Sequence, residues 1–399
     1  MKKIISLMLS ILLLLGIFAG CGQQGGQTIQ IPSDLDLSEP FVGFLDEIPQ
    51  TVDLSAYQQV APETFDTYQS EYAAYGSEVY FSTLSDGGKW LYRVFQYALD
   101  HGKTSIYLDK RLLSDLEEKV DDVLLFLALD NAMLEQNLSW SQQDVSVSYG
   151  QTATLEAVIL NVADLSKAKL EKKQQALEKA QQILSGMESG LTDAQKAEYF
   201  YRYLGTNAQY FSAYGKGEQP DYLYDALITG KTNCDGFANA YSLLCSLAGI
   251  ESAEKMYTPE DPKQIGHTWT MICLDGTWYN VDATGSQEVT GEYGIMSHFC
   301  VADDRLEYTY SYADRLPACS EDLIQPDCVV GDGDDAADLV KKAYASIKNT
   351  DRNYIMVLFT EGEADSSTMR EIANALGMSI TTQYYITGSG AAVYYIFPE

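Results

Sequence analysis

Gly230-Lys231-Thr232-Asn233-Cys234-Asp235-Gly236-Phe237-Ala238 is a polar loop that runs straight into an apolar helix. Phe237, Tyr241, Leu244 and Ala248 follow at helical spacing and Gly249 closes the run, so the pattern predicts a helix from Cys234 to Ala248. Cys234 then stands in the first turn. Backbone N–H groups and the positive end of the helix dipole favour a thiolate there. The same N–H groups can bind an oxyanion. Alone, the stretch favours a buried cysteine opening an ordinary helix.

His267-Thr268-Trp269-Thr270-Met271-Ile272-Cys273-Leu274 reads as a strand, Asp275-Gly276 as a two-residue hairpin turn, and Thr277-Trp278-Tyr279-Asn280-Val281-Asp282 as the return strand. If Leu274 pairs with Thr277, Trp269 faces Asp282, and His267 lies on the same face, diagonal to Asp282. Such diagonal neighbours have Cα atoms roughly 7–8 Å apart, within side-chain reach. An imidazole beside a carboxylate is oriented by it, and its protonated form is stabilised, as a thiolate partner requires. The register fixes the shared face but not the distance to Cys234.

Three blocks together resemble the core of the transglutaminase-like superfamily: Gly230–Ala238 with Leu247-Ala248-Gly249-Ile250, then Gly266-His267-Thr268-Trp269, then Asp275–Thr284. They agree with that family in order and spacing over about residues 195–305. The resemblance implies a papain-like fold in which Cys234 is the nucleophile, His267 the base and Asp282 the orienting carboxylate. It also implies that His298-Phe299-Cys300-Val301-Ala302-Asp303 is the core strand that follows, with His298 structural. The family often has Asn after the Trp that follows its His; Thr270 stands there here. The segment Val120–Leu134, with Asp130-Asn131, resembles the accessory domain that precedes this core in lipoproteins of Gram-positive bacteria.

Upstream, Met1-Lys2-Lys3 and the apolar run Ile4–Ala19 form a basic region and a short hydrophobic region, too short for a spanning helix. They end in Phe18-Ala19-Gly20-Cys21, which resembles the lipobox of bacterial lipoproteins. The resemblance implies cleavage before Cys21 and lipidation of its thiol, hence a protein held at the outer face of the cytoplasmic membrane. Residues 22–63 read mostly as a polar tether, with one short docking segment at Phe41–Leu45.

Within 64–190 the expected elements are a strand at Glu78–Ser82, a helix from Asp86 to His101 stopped by Gly102, and a strand at Ser105–Leu108. One or two helices follow in Leu112–Glu135, then a hairpin of Val145–Tyr149 and Thr152–Val162, then a helix over Ala163–Leu184. His101 sits at a helix end, where capping explains it. Thr192-Asp193-Ala194-Gln195 matches a capping box and opens a helix closed by Gly205.

The C-terminal residues suggest helix Ala336–Ile347, strand Tyr354–Phe359, helix Ser367–Leu376, and a hairpin of Ile380–Thr387 with Ala391–Phe397. Val330-Gly331-Asp332-Gly333-Asp334-Asp335 invites comparison with a calcium loop, but EF-hand spacing and the closing Glu are missing, so it reads as a linker. No metal or other cofactor is expected.

The fold expected is α+β: a papain-like core whose Cys-bearing helix packs on an antiparallel sheet carrying His and Asp. An α+β domain precedes it and a small α/β module follows. The boundaries expected are 1–20 for the signal segment, 21–63 for anchor and tether, 64–190 for the accessory domain, 191–328 for the core and 329–399 for the module.

With 399 residues, 46% of them hydrophobic, the chain can bury more than one core. Its 29 tyrosines suit wet grooves and interfaces as well as cores. A net charge of −31 argues against a nucleic-acid partner and against simple adhesion to an anionic membrane, and it favours solubility. Cys245, Cys273 and Cys300 read as small core residues, while Cys319 and Cys328 lie where they could pair.

The function expected is acyl transfer through a thioester at Cys234. Hydrolysis of protein or cell-wall peptide is favoured because water is always present. A cross-linking transglutaminase and a binding or assembly lipoprotein that retains the fold are the alternatives.

Overall fold

The computed structural model describes residues 27–30, 39–46, 53–134, 140–149, 153–162, 167–213, 220–261, 264–290, 295–306, 310–350 and 352–399. Cys21 and the apolar run before it lie outside these. The chain divides into two compact units, Met1–Glu254 and Lys255–Glu399. The division falls between the Cys234 helix and the His267 strand.

In the first unit the strands are β1 (Gln27–Gln30), β2 (Val42–Leu45), β3 (Gln58–Val60), β4 (Ser105–Asp109), β5 (Trp140–Tyr149), β6 (Ala153–Val162), β7 (Gln209–Tyr210) and β8 (Lys231–Thr232). The helices are α1 (Val79–Ser82), α2 (Asp86–Asp100), α3 (Val120–Asp130), α4 (Lys167–Ser185), α5 (Asp193–Asn207) and α6 (Cys234–Leu247). A six-stranded sheet has the order β1-β5-β6-β4-β2-β3. β4 is buried along its whole length, so it reads as an unbroken Ser-Ile-Tyr-Leu-Asp run rather than an alternation. On one side Tyr107 gathers Phe41, Tyr57 and Ile159. On the other, Phe44 of β2 meets Tyr97 of α2 with ring centroids 5.0 Å apart.

Three expectations for this unit are corrected. Within the docking segment Phe41–Leu45, Val42–Leu45 is an internal strand of the sheet, and Leu54 and Tyr57 are buried, so the fold begins inside the stretch expected as a tether. Glu78–Ser82 is not a strand but α1. The buried carboxylate of Asp130 accepts the amides of Tyr80 and Phe81 at 2.9 Å each, groups that the start of a helix leaves unpaired. The helix opened by Thr192 runs past Gly205 to Asn207, because the Ala208 amide still finds the Leu204 carbonyl at 2.8 Å. The capping box itself is present, with both reciprocal bonds between Thr192 and Gln195.

The second unit carries β10 (His267–Leu274), β11 (Thr277–Val281) and β12 (Phe299–Val301), preceded by β9 (Ser252–Tyr257), in which the boundary falls. Their antiparallel pairing β12-β11-β10 is extended by β9. After it come β13 (Cys328–Val330), α7 (Ala336–Ile347), β14 (Ile355–Phe359), α8 (Ser366–Leu376), β15 (Ile380–Ile386) and β16 (Ala392–Pro398). This C-terminal sheet has the order β13-β14-β16-β15. Alternation splits it cleanly. Ile355, Val357, Tyr394 and Ile396 pack with Val340 and Ile372 of the helices. Met356, Val393, Tyr395 and Phe397 face the other way, onto Ile295. Among the described residues no helix is long and apolar enough to cross a membrane.

Candidate active site

α6 begins at Cys234, which is only 7% exposed. Asn233 is its N-cap: its Oδ1 accepts the Gly236 amide at 3.3 Å, while its Nδ2 donates to Asp235 Oδ2 at 2.9 Å. The Tyr222 hydroxyl joins this pair, bonded to the side chains of Asn233 and Asp235. Burial, then the Asp235 charge, push that phenol far above its ordinary range. The loop before the thiol is pinned by backbone. Gln209 N donates to Gly230 O at 2.9 Å and Phe211 N to Thr232 O at 2.7 Å. Gly230 takes a left-handed conformation, φ 71°, that suits glycine. Gly236 lies so close to this loop that a Cβ would stand 1.8 Å from Thr232 Oγ1. The turn that carries Cys234 is therefore built from both sides, by a cap and by a close-packed loop.

The β10–β11 hairpin has the register expected, Leu274 opposite Thr277 and Thr270 opposite Val281. Asp275 and Gly276 both have positive φ, 51° and 83°, as a turn matched to strand twist requires. Beyond the last pair of this ladder, His267 Nε2 lies 2.7 Å from Asp282 Oδ2. The carboxylate is also held from its own chain: Thr284 N donates to Oδ1 at 3.0 Å. Burial works against its charge, but the bond to His267 and that ring's charge outweigh it. Asp282 is therefore held below the ordinary carboxylate range, helped less by His298 and the Thr284 amide. Trp269 stacks on His267 with centroids 5.9 Å apart.

Beneath Trp269 is a polar cluster that the sequence did not reveal. Trp269 Nε1 donates to Asn280 Oδ1 at 3.0 Å. The fully buried Lys255 ammonium also donates to Asn280, at 2.9 Å, and to Asp303 Oδ1, at 2.9 Å. It lies 3.9 Å from the centre of the Tyr310 ring. A buried lysine so fully paired fixes its partners in place. In sequence Lys255 stands beside Glu254 in the mixed run Glu251-Ser252-Ala253-Glu254-Lys255-Met256-Tyr257, and nothing there points to partners 25 and 48 positions on.

The other candidates have local explanations. His101 stacks on Tyr97 at 4.0 Å and its Nδ1 meets the Tyr97 carbonyl at 2.9 Å, at the end of α2. Cys319 and Cys328 are free thiols, so the pairing considered for them does not form. Cys319 is turned to Lys255, with Sγ 3.5 Å from Nζ, while Cys328 opens β13 opposite Val357. Burial pushes Cys319 and Cys328 up to about 11, and Cys245 higher still. In the acidic turn, Asp334 accepts the Gly331 amide and Asp335 caps α7. Among the described residues no group of three or more His, Cys, Asp or Glu is arranged to hold a metal ion.

Residues 177–283 match the family model described as the transglutaminase-like superfamily. The match includes Cys234 and His267 and ends one residue beyond Asp282. A human protein, kyphoscoliosis peptidase, is 30% identical over 107 residues, which span 23% of this chain and 16% of that protein. Its mouse counterpart is 35% identical over 69 residues, 15% of this chain and 10% of that protein. The chain thus spans a sixth or less of these curated relatives. Among solved structures, a crystal structure of a TGase overlaps 49% of this chain and 53% of its own, at 13% identity and a TM-score of 0.24. The periplasmic domain of TgpA from Pseudomonas aeruginosa overlaps 34% and 55%, at 13% identity and a TM-score of 0.23. Residues 177–283, with the thiol, the imidazole and the carboxylate in order, carry a domain of the transglutaminase-like superfamily.

Proposed function

We propose that Cys234, His267 and Asp282 form a catalytic triad, and that the protein hydrolyses amide bonds in a protein or peptide. One observation carries most of the weight: the 2.7 Å bond between His267 Nε2 and Asp282 Oδ2. It fixes the tautomer and plane of the ring, and it assigns proton transfer to Nδ1, the nitrogen not bonded to Asp282. The capped helix start at Cys234 and the family match over all three residues support the same reading.

In the reaction, Nδ1 takes the Cys234 proton and the thiolate attacks the substrate carbonyl carbon. The Cys234 amide, at the N-terminus of α6, donates to the oxyanion. The imidazolium returns its proton to the departing amine as the C–N bond breaks, leaving a thioester. Water, deprotonated by Nδ1, then attacks the thioester, and the acid leaves as the thiol reforms. Asp282 keeps its negative charge throughout and stabilises the imidazolium.

Water as acceptor makes the protein a peptidase or amidase; an amine acceptor would make it a cross-linker. The name of the curated relatives, a peptidase, agrees with water. Incubation of the protein with peptides, with and without a primary amine, should yield the free acid in both cases by mass spectrometry. A dominant amide adduct would move the assignment to cross-linking. We also propose lipid attachment at Cys21 on the outer face of the cytoplasmic membrane. A palmitate analogue should label the parent in cells and not Cys21→Ala.

A further inference from the structure

We infer that His298 is a positioning residue for Asp282, and that the C-terminal module holds it in place through Tyr385. Asp282 enters as the carboxylate of the proposed triad, so the inference rests on that reading. Four contacts converge on His298. Its carbonyl accepts the Asp282 amide at 2.9 Å. Its ring lies on Gly285, where a Cβ would stand 2.7 Å from Nδ1 and force the ring away. Nδ1 shares a hydrogen bond with Ser297 Oγ at 2.7 Å. From β15, Tyr385 stacks on the ring at 6.0 Å with 28° between planes.

The segment bearing His298 is clasped by the same module. Ile295 is buried against Met356, Val393, Tyr395 and Phe397 of β14 and β16. The tip of the β15–β16 hairpin is seated as well, since a Cβ on Gly388 would lie 2.4 Å from the Leu306 carbonyl oxygen. The carboxylate of Asp282 is oriented by its bonds to His267 and Thr284, but the chain that carries it is anchored through His298. Loosening that anchor turns Oδ2 away from Nε2 without touching substrate. The module acts on this reading as a brace.

The test compares Tyr385→Ala, which removes the stacked ring, with Tyr385→Phe, which keeps it. The full chain has three histidines, so the strongly deshielded Nε2 proton of the His267–Asp282 bond is assignable by NMR after ¹⁵N-histidine labelling. The brace predicts that this resonance broadens or disappears in Tyr385→Ala and persists in Tyr385→Phe, with both variants folded by circular dichroism. Kinetics should follow: kcat falls about tenfold in Tyr385→Ala with KM nearly unchanged, and Tyr385→Phe restores it. The same resonance in parent and both variants would overturn the inference, as would its absence from the parent. The NMR arm does not depend on turnover, so a parent that hydrolyses nothing would defeat the proposed function and leave the brace to be judged by the resonance.

Discussion

At the level of single residues, the site is defined by how little room it leaves. Gly236 sits where a Cβ would be 1.8 Å from Thr232 Oγ1 and 2.9 Å from the Tyr222 carbonyl. Gly236→Ala should therefore cost about 1–3 kcal/mol in urea unfolding, the usual range for overpacking. An unchanged midpoint would mean that the loop before Cys234 is slack. Asp282 gives a second prediction. Its folded pKa lies below its ordinary value of 3.8, so the folded state binds the proton less readily than the unfolded chain. The stability it contributes is complete above 3.8 and is lost as pH falls through the depressed value. Asp282→Asn should flatten the acid limb of stability against pH, and equal acid limbs in parent and variant would refute the assignment. The three triad candidates were legible because each belongs to a short local pattern: a helix start, a strand start, a turn with fixed register. Lys255, Asn280 and Tyr222 were not, because a buried polar side chain is explained by its partners, and partners are chosen by the tertiary fold.

Among the elements, those written into contiguous residues were readable. The Asp275-Gly276 turn set the β10–β11 register, and Thr192 with Gln195 set the start of α5. α1 failed because Val79-Tyr80-Phe81 is too short to show a period. What decides it is Asp130, about 50 residues away. That carboxylate also accepts the Tyr92 hydroxyl at 3.1 Å. Asp130→Ala removes a buried acceptor shared by several donors, and should cost about 3 kcal/mol or more. Hydrogen exchange would show the loss first at the amides of Tyr80 and Phe81. Continued protection of both would contradict the capping role.

For the molecule as a whole, composition misled where elements are very short. Residues 22–63 look like a tether by hydrophobicity and proline content, yet the four-residue β2 lies between β4 and β3 in the sheet. Position in a sheet, not composition, buries Val42 and Phe44 completely or nearly so. The net charge of −31 bears on encounter with substrate rather than on the fold. Acidic peptides should be repelled at low salt, so kcat/KM for them should rise as ionic strength rises, while that for basic peptides falls. Identical salt dependence for both would show that the charge is too dispersed to act at the site.

The most direct measurement is the alkylation rate of each cysteine, mapped by mass spectrometry after a brief pulse of iodoacetamide. Burial keeps Cys245, Cys319 and Cys328 protonated, and they serve as internal references. A triad predicts that Cys234 is labelled well before these three in the parent, and that the advantage is lost in His267→Ala. Labelling of Cys234 as slow as that of Cys245, or unaffected by loss of the His267 imidazole, would contradict it.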